Sequence, residues 1–183
     1  TDWLNQVLFW GVNATISDVD DIEERFDTYD VISLSDLGIS GNLTPQTGNN
    51  YTFNGVSPSG SRVFEFDYNH NQSNVSANLA IGFNEWNRRL TLVNTSQIVL
   101  HTEGDDTREA YNNLSIAKDI DHRIKYGNVR ILAGENAGKD LQFVYLDGKL
   151  VATRIADPLP DDLRTVMIWA QSDDGTEETL KNV

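Results

Sequence analysis

Apolar residues recur along this chain in short runs, and their spacing predicts strands for most of its length. From residue 61 onward the runs fall at 63–68, 79–83, 90–93, 98–101, 124–132, 141–146, 150–155 and 166–169. Each is bounded by Gly, Asn, Asp, Ser or Pro, the residues that make turns. Between Leu146 and Lys149 the pair Asp147-Gly148 suits a two-residue hairpin turn. Residues 41–60 are rich in Gly, Asn, Pro, Ser and Thr around one short strand at 51–56, and residues 105–118 read as a helical or irregular excursion. The first forty residues follow another rhythm. An apolar strand at 7–10 leads to Ser17, after which Val19, Ile22, Phe26 and Tyr29 recur at helical spacing, and a strand follows at 31–34. The expectation is a mainly β chain: an antiparallel sandwich over 41–183, preceded by a strand-helix-strand docking segment over 1–40.

Charge and composition narrow the partners. At 183 residues one core is expected, and 4 Trp, 6 Tyr and 7 Phe are available to fill it. The formal charge of −14 repels phosphate backbones and anionic lipid surfaces, so neither nucleic acid nor membrane is an expected partner. The absence of Cys removes disulfides, thiolate zinc sites and thiol nucleophiles, and it points away from a small secreted eukaryotic domain. The apolar stretch at 7–12 is too short to span a bilayer and has no basic flank. Asp18, Asp20, Asp21, Glu23 and Glu24 crowd the first turns of the expected helix, where its dipole favours negative charge without a metal.

Few residues carry candidate chemistry. Glu65, Asp67 and Asn69 alternate on one strand and so share a face, with Phe64, Phe66 and Tyr68 on the other. An ordinary half-buried strand gives the same alternation. With Asn71 the series resembles the start of a calcium loop, but the glycine and the distant bidentate Glu of such a loop are missing. No metal and no cofactor is expected. His70, His101 and His122 have no metal-ligand spacing. Nucleophile-elbow, phosphate-loop and zinc-protease motifs are all absent. Trp86, in a polar turn beside Asn84, Asn87, Arg88 and Arg89, is a candidate aromatic platform for a sugar or peptide. Seven Asn-x-Ser/Thr triplets, at Asn13, Asn42, Asn50, Asn71, Asn74, Asn94 and Asn113, fit a surface glycoprotein or an Asn-rich β surface equally well.

Three stretches, Arg62-Val63-Phe64-Glu65-Phe66-Asp67-Tyr68, Asn128-Val129-Arg130-Ile131-Leu132-Ala133-Gly134, and Leu141-Gln142-Phe143-Val144-Tyr145-Leu146-Asp147-Gly148-Lys149-Leu150-Val151-Ala152, resemble the concanavalin A-like jelly roll of laminin-G-type modules, legume-type lectins and family-16-type glucanases. The resemblance spans about residues 60–172. It implies two antiparallel sheets, one concave, whose face or rim often binds sugars. Glu65-x-Asp67-x-Asn69 is similar to the glucanase motif Glu-x-Asp-x-Glu, whose last Glu is the acid/base. Asn69 cannot titrate, so hydrolysis loses its proton donor. The layout is also similar to modules of phage virion proteins. The leading expectation is therefore a non-enzymatic structural or adhesive module at a virion or extracellular surface. It would dock on other subunits through Val19, Ile22, Phe26 and Tyr29. The alternatives are a carbohydrate-binding, lectin-like module that meets surface glycans through Glu65, Asp67, Asn69 or Trp86, and a family-16-like glycoside hydrolase.

Overall fold

The computed structural model describes residues 30–32, 49–52, 61–69, 78–83, 88–102, 108–159, 165–171 and 179–181, and among them the regular structure is all β. The strands are β1 (Asp30–Ile32), β2 (Asn49–Thr52), β3 (Arg62–Asn69), β4 (Asn78–Phe83), β5 (Arg88–Asn94) and β6 (Gln97–His101). They continue with β7 (Arg108–Tyr111), β8 (Asp121–Arg130), β9 (Asp140–Leu146), β10 (Lys149–Ala156), β11 (Thr165–Gln171) and β12 (Thr179–Lys181). They form two six-stranded sheets. One runs β1-β3-β8-β9-β10, with β12 also paired to β3, and the other runs β2-β11-β4-β5-β6-β7. All pairings are antiparallel except β1 with β3. This is the expected jelly-roll sandwich.

Period-two alternation explains the core. Phe64, Phe66 and Tyr68 of β3 point between the sheets beside Ile124, Tyr126, Val144 and Leu146, and meet Ile81, Leu90, Leu92, Ile98, Leu100 and Ile168 of the second sheet. The first sheet also buries part of its other face. Val63, Val129, Ile131, Leu141, Phe143 and Tyr145 form a second apolar cluster there. β9 is accordingly buried at every position, which is why it ends in the continuous apolar run Phe143-Val144-Tyr145-Leu146 rather than alternating.

At one end of the interior the core gives way to a polar row. Arg62, Asn128, Gln142 and Arg154 are consecutive register partners across β3, β8, β9 and β10. Buried polar groups cost free energy unless bonded, and most of these are. Gln142 Nε2 donates to Tyr126 Oη at 2.9 Å and to the His101 carbonyl at 3.1 Å, and Arg154 Nη1 donates to the Leu100 carbonyl at 3.0 Å. Asp140 is fully buried and gathers Arg130 Nε at 2.6 Å, Asn128 Nδ2 at 2.8 Å and the Leu159 N–H at 2.7 Å.

Two expectations need correction. The excursion at 105–118 contains a strand, β7, paired with β6 through Ile98↔Tyr111 to His101↔Arg108. It is an edge strand with three exposed residues, so tertiary pairing overrides a local pattern that has no apolar alternation. The run at 124–132 ends as a strand at Arg130, and Leu132 is exposed. The expected helix with Val19, Ile22, Phe26 and Tyr29 lies outside the described residues.

Candidate functional site

The face of the first sheet that carries the second apolar cluster changes character along β3. Register places Val63 opposite Gly127, then Glu65 opposite Lys125, Asp67 opposite Arg123 and Asn69 opposite Asp121. Side chains on directly opposed positions stand close enough to interact, and here acids meet bases. Arg123 spans two rows: its Nε donates to Glu65 Oε1 at 3.1 Å and its Nη1 to Asp67 Oδ1 at 3.0 Å. Lys125 Nζ lies 3.4 Å from Glu65 Oε2. Asn69 Nδ2 donates to Asp121 Oδ1 at 2.7 Å.

These groups are partly open to solvent. The side chains of Arg123, Glu65 and Asp67 are 42%, 27% and 20% exposed. For Arg123, burial works against the charged form, but the hydrogen bonds it donates to Asp67 and Glu65, together with their charges, outweigh it and hold the pKa above its ordinary value. The guanidinium is a fixed cation between two carboxylates. Arg123 is restrained as well through its backbone, whose N–H donates to Asp147 Oδ1 at 2.9 Å while its carbonyl accepts the Asp147 N–H at 2.8 Å. Asp147 Oδ2 also lies 2.7 Å from Nδ1 of the buried His122, whose Nε2 is 3.2 Å from the Ala117 carbonyl. The hairpin turn thus clamps the start of β8. It can do so because Asp147 and Gly148 adopt φ of 51° and 78°, the left-handed pair of a primed turn.

Glu65, Asp67 and Asn69 do share a face. Trp86, Asn71 and His70 lie outside the described residues, so Trp86 is not placed relative to this face. Among the described residues no group of three or more His, Asp or Glu could hold a metal. His101 is buried, with Nε2 3.3 Å from Thr91 Oγ1. Arg123, Lys125 and Asp121 are site residues that the sequence pattern does not single out, and Asp147, expected only as a turn residue, joins them. A signal for three of them was present, since Asp121-His122-Arg123-Ile124-Lys125 alternates with the same period as Glu65-Phe66-Asp67.

No protein-family model and no curated protein matches the sequence. Among solved structures, sheep galectin-11 is similar at a TM-score of 0.47 and 10% identity, covering 77% of this chain and 95% of its own. A galectin of Caenorhabditis elegans is similar at a TM-score of 0.49 and 12% identity, over 80% of this chain and 99% of the galectin. The carbohydrate-binding module CBM66 of Bacillus subtilis is similar at a TM-score of 0.45 and 10% identity, over 85% and 98%.

Proposed function

We propose that this chain is a non-catalytic carbohydrate-binding module, displayed at an extracellular or virion surface, whose glycan site is the charged face of β3 and β8. The observation that carries the reading is the Glu65–Arg123–Asp67 clasp. It holds acceptors and donors in a fixed, partly exposed array on a rigid sheet. Vicinal sugar hydroxyls each offer one donor and two acceptor sites, and a carboxylate has about four lone-pair positions, so paired Glu65 and Asp67 retain capacity for a ligand. Hydrogen bonds to charged groups contribute more than neutral ones, and a preorganised array loses little side-chain entropy on binding.

The charge balance selects among glycans. Glu65, Asp67 and Asp121 outnumber Arg123 and Lys125 on this face, within a chain of net charge −14, which favours neutral over acidic sugars. Catalysis is not proposed. Asn69 supplies no proton, and both carboxylates of the motif are paired with Arg123 rather than set as a separate acid and nucleophile. The glycan site is made of described residues, whereas Val19, Ile22, Phe26 and Tyr29, through which an assembly module would dock, lie outside them.

A glycan array probed with the wild type, Arg123→Ala and Glu65→Ala tests this. The expected result is binding to neutral glycans by the wild type and about tenfold or greater loss in both variants, with β circular dichroism unchanged. No glycan bound, or binding indifferent to both substitutions, overturns it.

A further inference from the structure

Away from the charged face, the edge strands of the two sheets are bridged on one side of the sandwich. The Tyr111 hydroxyl of β7 donates to the Thr153 carbonyl of β10, and Arg154 Nε lies 3.9 Å from Glu109 Oε2. A cavity of about 400 Å³ opens beside this bridge, lined by Tyr111, Leu114 and residues 149–153. Two local features shape it. The register of β10 on β9 shifts between Leu150 and Ala152, so Val151 is an extra residue that bends the strand. The Leu114 N–H donates to the Ser96 carbonyl at 3.0 Å, which fixes the opposite wall.

The chemistry of the lining is uneven. Leu114, Leu150, Val151, Ala152 and the Tyr111 ring give apolar walls. The one hydroxyl among them that reaches across the strands is committed to Thr153, and burial, with Glu109 nearby, pushes its pKa up to about 12, so it stays neutral. At the mouth stands Lys149, exposed and with no ion pair among the described residues, in a chain with only 14 basic side chains. We infer that this cavity is a second binding site, for a small amphiphile with an apolar chain or ring and one anionic head group. The body fills the apolar walls and the head meets Lys149. At roughly 30 Å³ per water-sized group the volume holds about a dozen heavy atoms. A peptide strand added to the β10 edge is a poorer fit, because the bulge breaks its ladder and Tyr111 already takes the Thr153 carbonyl.

Decanoate has that size and charge, and decyltrimethylammonium is the matching cation. Methyl NMR of the intact chain, titrated to millimolar concentrations of each, reads the site directly. Decanoate is expected to give saturable shifts at Leu114, Leu150, Val151 and Ala152, with decyltrimethylammonium weaker. Lys149→Gln should weaken decanoate by about threefold to fivefold, the scale of one exposed charge contact. Val151→Trp, which fills the cavity from a half-buried position, should abolish the shifts. The inference is overturned if those methyls do not move, or if the cation binds as well as the anion and Lys149→Gln changes nothing. Resonances of the β3 and β8 face should stay still throughout, so this outcome is separate from that of the glycan site.

Discussion

The tip of the Phe143 ring sits over Gly127. A Cβ at Gly127 would sit 2.0 Å from Phe143 Cζ, and the ring is fully buried, so it has nowhere to go. Gly127 is there because the aromatic ring occupies the space its side chain would take. Gly127→Ala is expected to cost about 2 kcal/mol, lowering Tm by roughly 4–8 °C at this chain length, and Phe143→Leu in the same chain should recover part of it. An unchanged Tm would contradict this packing. Asp140 carries a larger load, because Asp140→Ala leaves the Arg130 guanidinium, the Asn128 amide and the Leu159 N–H without their shared acceptor. The expected loss is about 3–5 kcal/mol by chemical denaturation. Tyr145 and Tyr111 are each pushed up from 10.0 to about 12, in both cases chiefly by burial. Their unfolded forms ionise near 10.0 while the folded ones keep the proton, so the stability they contribute is complete below pH 10 and is lost as pH rises from 10 through 12. Tyrosinate absorbance followed with circular dichroism should show these phenols ionising late and together with alkaline unfolding. Ionisation near pH 10 in a still-folded chain would contradict their burial.

Among the elements, the hairpin of β9 and β10 was the most legible in the sequence, since Asp-Gly between two β runs dictates its turn. What the sequence did not show is that Asp147 also reaches back to β8. Asp147→Ala should therefore do more than strain a left-handed position. It removes the partners of the Arg123 N–H and of His122, so thermal stability is expected to fall by about 2 kcal/mol and glycan affinity to fall with it. Loss of stability with intact affinity would separate the turn from the site. β3 was readable down to the face that Glu65, Asp67 and Asn69 share, because period two needs only local sequence. Arg123 and Lys125 were missed because their pairing with β3 depends on register between strands 58 residues apart. β7 and β12 were missed for another reason: one is exposed at an edge and the other is three residues long, so neither has an apolar alternation to detect.

At the scale of the molecule, one sheet does two jobs. Its inner face supplies half of the interior core, and its outer face passes from an apolar cluster to an ordered set of charges within β3 and β8. The rigidity of the first supports the second, because strands buried on both faces hold register tightly. The proposed glycan site is that charged stretch. Chemical-shift mapping of the backbone and side-chain amides during titration with a neutral oligosaccharide locates the bound sugar on the sheet. Saturable shifts are expected to cluster at Glu65, Asp67, Asn69, Arg123 and Lys125, with the midpoint moved about tenfold or more to higher sugar in Arg123→Ala. Shifts confined to the second sheet, or an unchanged midpoint in Arg123→Ala, would overturn the glycan site.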